Sequence, residues 1–106
     1  LKYTKSHRLL TAKDFRYVFE KPKKIKAGAV DFYIRANALQ LARLGLAVPK
    51  KAVKRAVDRN RFKRLLREQF RKHQQQLAGY DIVVVVRGTN AHGLAKQWQK
   101  VCDSCV

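Results

Sequence analysis

The stretch Lys50–Lys72, KKAVKRAVDRNRFKRLLREQFRK, carries 11 Lys or Arg against two acids, Asp58 and Glu68. From Phe62 onward it also has the period of an amphipathic helix. Phe62, Leu65, Leu66, Phe70, His73 and Leu77 recur at i, i+3, i+4 and i+8, which lines one face. At about 100° per residue, Asn60, Lys63, Arg64, Arg67 and Arg71 fall on the opposite face. One side is built to pack and the other to meet something anionic. Arg59 breaks the pattern, because its angle lies within the apolar stripe. Its guanidinium must sit beyond the edge of the core or be held by a ligand. A basic face can simply be solvated. The density of cations and the scarcity of acids to pair with them point instead to a nucleic acid.

Outward from this stretch, the chain reads as short elements on both sides. Upstream, Arg43–Val48 predicts a strand with Leu44, Leu46 and Val48 on the core side, closed by Pro49. Downstream, Ala78-Gly79-Tyr80 stops the helix. Asp81–Arg87 follows as a strand whose IVVVV run suits burial on both faces, hence a central position beside a parallel neighbour. Gly88-Thr89-Asn90 breaks it. Leu94, Trp98, Val101 and Cys105 then repeat with helical spacing.

Nearer the N-terminus, after ten basic, irregular residues, Thr11 with Asp14 resembles a capping box with Asp in place of Glu. It opens a helix through Phe15, Val18 and Phe19 that ends before Pro22. Lys23–Val30 and Phe32–Ala36 predict two strands with a tight turn near Gly28–Asp31. In the second, Phe32, Ile34 and Ala36 face one way, Tyr33 and Arg35 the other. Residues 37–42 connect to the next strand. The order is α-β-β-β-α-β-α, a small single-domain α/β (α+β) sandwich over residues 1–106.

Composition narrows the function. A formal net charge of +18 on 106 residues implies a polyanion that neutralises it in the working state. No apolar run approaches the roughly 20 residues that span a bilayer, and LKYTKSHRLL lacks the apolar core of a signal peptide. Cys102 and Cys105 form a lone C-x-x-C. A structural zinc site needs a full tetrahedral set that His92 cannot complete, and a redox pair would open a helix in a different context. Two reduced cytosolic thiols is the reading that remains. A protein nuclease would need metal-binding carboxylates or an acid–base pair. The seven acids, Asp14, Glu20, Asp31, Asp58, Glu68, Asp81 and Asp103, are scattered. His73 lies on the packing stripe, and His7 and His92 have no partner at useful spacing. Binding rather than bond cleavage is expected, with no catalytic residue and no metal site in the protein.

At Arg59-Asn60-Arg61 a signature appears. VPKKAVKRAVDRNRFKRLLRE resembles the protein subunit of bacterial ribonuclease P, in which a strand ends in Lys-Lys and passes into a helix bearing RNR and KRLLRE. RLLTAKDFRYVFEKPKK resembles that family's first helix, ARLGLAVPKK its third strand and YDIVVVVRG its fourth, in order and over nearly the whole chain. Pro49 departs from the small polar residue usual there, and the C-terminus is short.

The resemblance implies a four-stranded mixed sheet with a left-handed crossover between the third and fourth strands, against the usual hand. It implies a cytoplasmic ribonucleoprotein in which a catalytic RNA, holding Mg2+ itself, removes 5′ leaders from precursor tRNA, with one protein per RNA. On this resemblance Lys50, Lys51, Lys54, Arg55, Arg59, Asn60, Arg61, Lys63, Arg64 and Arg67 would bind the catalytic RNA. Phe15, Phe19, Tyr33 and Arg35 would line the leader cleft. From the residues alone, Phe15 and Phe19 could equally be core, and Tyr33 and Arg35 the wet side of a strand. A ribosomal protein or general RNA chaperone would share the charge without the cleft. A stand-alone ribonuclease would be active without RNA.

Overall fold

In the computed structural model, which describes residues 11–88 and 94–105, the elements are α1 (Ala12–Glu20), β1 (Lys23–Ala27), β2 (Val30–Ala36), β3 (Arg43–Ala47), α2 (Ala56–His73), β4 (Tyr80–Val86) and α3 (Leu94–Cys105). The strands form one sheet in the order β1-β2-β4-β3. β2 is antiparallel to β1 and β4, whereas β3 is parallel to β4, with Leu44 beside Ile82 and Leu46 beside Val84. The parallel pair is joined through α2, so the sheet is mixed and contains one β-α-β crossover.

The apolar run of β4 is explained by cover on both faces. Ile82, Val84 and Val86 join Ile25, Phe32, Ile34 and Leu44 beneath Phe62, Leu66 and Phe70 of α2 and Trp98 and Val101 of α3. Val83 faces the other way, buried against Val18 of α1, with Phe15, Tyr33 and Val85 packed around them. Trp98 anchors the larger side. It is fully buried and meets Phe32 edge-on at 5.3 Å and Phe70 at 6.2 Å, while His73 stacks on it at 6.4 Å. Each large apolar side chain buried this fully contributes about 1.5–3 kcal/mol, so the α2–α3 face supplies most of the cohesion.

The capping box is present. Asp14 N donates to Thr11 Oγ1 and Thr11 N to Asp14 Oδ2, both at 3.2 Å. Several boundaries differ from expectation, β4 among them, which spans Tyr80–Val86 in place of Asp81–Arg87. The first hairpin turns on Gly28-Ala29 alone, with Ala27 paired to Val30 and Val30 and Asp31 already in β2. Gly28 has φ 62 at the first central position, where two-residue hairpins of the II′ kind place glycine. β3 stops at Ala47, one residue before Val48. α2 ends at His73, not at Ala78. The stripe misled because Leu77, although outside the helix, is still fully buried. The turn after α2 closes through Gly79, at φ 91, whose N–H donates to Leu41 O (3.1 Å) while its carbonyl accepts from Asn37 N (2.9 Å). Cys102 is buried; the side chains of Leu94 and Cys105 lie outside the described residues, as do residues 1–10, His92 among 89–93, and Val106.

Ala38 is left-handed, at φ 59, within a turn where Leu39 N donates to Asn37 Oδ1 at 2.8 Å. A Cβ costs about 1–2 kcal/mol in that region, against the extra flexibility a glycine loses on folding. Ala38→Gly is therefore expected to raise stability by about 0.5–1 kcal/mol, read as a higher denaturant midpoint at unchanged slope.

Candidate nucleic-acid interface

The cation-bearing surface begins at the turn after β3. Ala52 N and Val53 N both donate to Pro49 O at 3.0 Å, and the Val53 side chain is fully buried. Lys50, Lys51, Lys54 and Arg55 are thereby held out in solvent ahead of α2. Along the helix, Asn60, Arg61, Lys63, Arg64 and Arg67 line one shallow groove with Val57. Arg64, Arg67 and Arg71 continue it beside Glu68. The helical period thus brings the expected residues onto one face. Val57 also stands on that face, 59% exposed, and charge alone did not single it out.

Arg59 is the exception. Its Nη1 donates to Val53 O at 3.1 Å and Lys54 O at 2.9 Å, so the guanidinium that falls within the apolar stripe is held by the chain's own carbonyls. Arg55 lies 3.9 Å from Asp58, a solvent-exposed contact worth little.

A second surface lies on the opposite side of the sheet, under α1. Phe19 is 43% exposed and meets Tyr33 edge-on, with centroids 4.9 Å apart. Lys24 Nζ sits 5.3 Å above the Tyr33 ring. Phe15 is half-buried against Val18 and Val83. Phe15, Phe19 and Tyr33 therefore gather into an aromatic row. Arg35 stands next to it but is engaged with α1. Its Nη1 donates to Tyr17 O at 2.6 Å and reaches Glu20 Oε2 at 3.4 Å, and its guanidinium lies 3.8 Å from the Tyr17 ring centroid. Tyr17 OH donates to Ala36 O at 2.7 Å. Tyr17 and Lys24 were missed from sequence. Lys24 is the register partner of Tyr33, which becomes legible only when the hairpin turn is placed on Gly28-Ala29. Nothing local marks Tyr17.

The two surfaces approach each other at the turn after β3. Pro49, Lys51 and Ala52 line an apolar pocket with Val85, Val86 and Arg87, and Val85 also belongs to the cluster beneath α1. Arg87 Nε pairs with the buried Asp31 at 2.8 Å, and its Nη2 donates to Gly28 O at 3.0 Å. Further along the sheet, Asp81 accepts from Arg43 Nε at 2.8 Å and Nη2 at 2.6 Å, and from Asn37 Nδ2 at 2.8 Å. The hydrogen bond to Asp81 raises the Arg43 pKa above its ordinary value. Among the described residues, no three His, Cys, Asp or Glu side chains gather where they could hold a metal ion. What is displayed is donors, cations and ring faces, a chemistry of binding.

A family model described as Ribonuclease P matches residues 3–106. The chain belongs to the ribonuclease P protein family. It is 48% identical over 87 residues to the ribonuclease P protein component of Alcanivorax borkumensis, covering 81% of this chain and 72% of that one. It is 43% identical to that of Proteus mirabilis, over 96% of this chain and 92% of that one. The fold is similar to the Staphylococcus aureus RNase P protein, with a TM-score of 0.75 at 28% identity, covering 95% of this chain and 93% of that one. The Thermotoga maritima RNase P protein follows, with a TM-score of 0.67 at 29% identity over 91% and 88%. The chain is thus the RNA-binding protein subunit of ribonuclease P, the tRNA-processing endoribonuclease, and the ribosomal-protein and chaperone readings fall away. Among the described residues, no helix is long and apolar enough to cross a membrane.

Proposed function

We propose that the exposed face of α2 docks on the catalytic RNA of ribonuclease P while the aromatic row beneath α1 receives the 5′ leader of precursor tRNA. Segregation of charge carries this reading. Asn60, Arg61, Lys63, Arg64 and Arg67 line one groove whose lining holds no acid, whereas most of the carboxylates have partners elsewhere in the chain. The leader, being single-stranded, can be held by ring faces without regard to its sequence, and Phe19 with Tyr33 supplies them. The apolar pocket at Pro49 and Val85 extends that track toward the lysines of the turn. Arg35 serves the leader surface indirectly, by keeping α1 on the sheet. Cleavage is assigned to the RNA, together with the Mg2+ ions it holds. One protein per RNA, working in the cytoplasm, completes the assignment.

The test is equilibrium binding to the catalytic RNA across a salt series. With about five to eight phosphates contacted, log K should fall steeply with log salt, each contact adding about 0.7 to 0.9 to the slope. Arg64→Ala and Arg67→Ala should each weaken binding and make the slope shallower by about one such step. A flat salt dependence would overturn the docking assignment.

A further inference from the structure

We infer that Arg59, the first arginine of the RNR run, is a positioning residue that clamps the turn after β3 to the start of α2. The helix begins without the usual aid: Arg55 is its N-cap and makes no side-chain capping bond, although such a bond normally secures a helix start. Arg59 is the fourth helical residue, and its N–H closes the first turn on Arg55 O at 3.0 Å. Its side chain then runs back past the helix start. A guanidinium Nη carries two N–H groups, and both on Nη1 are taken by the carbonyls of Val53 and Lys54. A phosphate approaching that nitrogen would have to displace two backbone acceptors. The clamped turn presents Lys50, Lys51 and Lys54, and it also walls the pocket shared with Val85 and Arg87. One side chain thereby sets the position of cations that serve both proposed RNA surfaces. The inference rests on the proposed docking of α2 only for its consequence in RNA binding.

Two measurements on the full chain test it. In RNA-free protein, amide hydrogen exchange at Ala52 and Val53, whose N–H groups bond Pro49 O, should quicken by about tenfold or more in Arg59→Ala, the loss expected for hydrogen bonds from a charged donor. Arg59→Lys, with one ammonium in place of the fork, should restore part of that protection. With the catalytic RNA, Arg59→Ala should lower affinity by a similar factor at every salt concentration while keeping the wild-type slope, in contrast to Arg64→Ala. Unchanged exchange at Ala52 and Val53, together with a slope reduced by one phosphate's worth, would overturn the clamp and make Arg59 a direct ligand. Should Arg59→Ala fail to fold, Arg59→Lys decides: faster exchange at wild-type slope supports the clamp, and unchanged exchange sinks it. A wild-type protein that bound RNA without salt dependence would refute the docking of α2, and the exchange measurement would still settle the role of Arg59.

Discussion

Phe19→Ala is expected to weaken binding of precursor tRNA to the holoenzyme by about 1–3 kcal/mol, the worth of one base stacked on a ring, or between about 5- and 150-fold. Mature tRNA, which lacks the leader, should bind almost unchanged. The melting temperature should hold, because Phe19 is 43% exposed and exposed substitutions rarely move stability beyond about 0.5 kcal/mol. Phe15→Ala provides the contrast. Phe15 is half-buried on Val18 and Val83, so its loss should lower stability as well as leader affinity, by less than the 3–5 kcal/mol or so of a fully buried phenylalanine. Competition binding with the two tRNAs, paired with thermal melts, separates the rings. Equal losses for precursor and mature tRNA in Phe19→Ala would place the leader contact elsewhere.

Sequence reasoning read well wherever a single element carries its own period. The faces of α2, the two-sided burial of β4 and the Thr11–Asp14 capping box are all local patterns, and local patterns survive folding. It failed where two elements must be registered first. The hairpin turn spread over Gly28–Asp31 in sequence, because Asp31 is a common turn residue and nothing announces that it will be buried beside Arg87. With the turn displaced, the Lys24–Tyr33 pairing could not be seen. Tyr17 and Arg35 lie 18 residues apart, and their contact depends on how α1 crosses β2. Arg59 is intermediate. Its angle shows that it does not belong to the wet face, but that the carbonyls of Val53 and Lys54 hold it depends on how the turn after β3 folds back on α2.

The placement of the seven acids explains how a chain of net charge +18 keeps the exposed face of α2 basic. Asp14 caps α1, Glu20 meets Arg35, Asp31 meets Arg87, Asp58 faces Arg55, Asp81 binds Arg43 and Asp103 accepts from Gln99. Glu68 alone stands among the arginines of the α2 groove. Most of the acids thus serve the architecture, and the 11 cations of α2 and the turn before it share their stretch of chain with two acids, Asp58 and Glu68. Self-repulsion along that face destabilises the free protein; neutralisation by phosphates relieves it, so affinity and folding stability are linked.

That arrangement makes Arg43→Ala the substitution with the largest expected cost to the fold. Asp81 is 0% exposed and directly opposite Arg43 in the parallel β3–β4 register, with two hydrogen bonds from the guanidinium. Removing the arginine leaves a buried carboxylate with Asn37 as its remaining side-chain donor among these contacts. Breaking a buried pair from one side costs about 3–5 kcal/mol, and a domain of this size loses about 4–8 °C of Tm per kcal/mol. Arg43 also lies 3.9 Å from Asp14 at the start of α1, so the damage should reach the helix that carries Phe15 and Phe19. The salt slope for catalytic-RNA binding, by contrast, should stay at its wild-type value at temperatures where Arg43→Ala is folded, because Arg43 lies off the α2 face. A double replacement, Arg43→Leu with Asp81→Leu, should recover much of the lost stability, since two apolar side chains leave no charge stranded. Melting curves of the single and double variants decide the matter. If Arg43→Ala melts within a few degrees of wild type, the pair is not the clasp between β3, β4 and α1 that its geometry indicates.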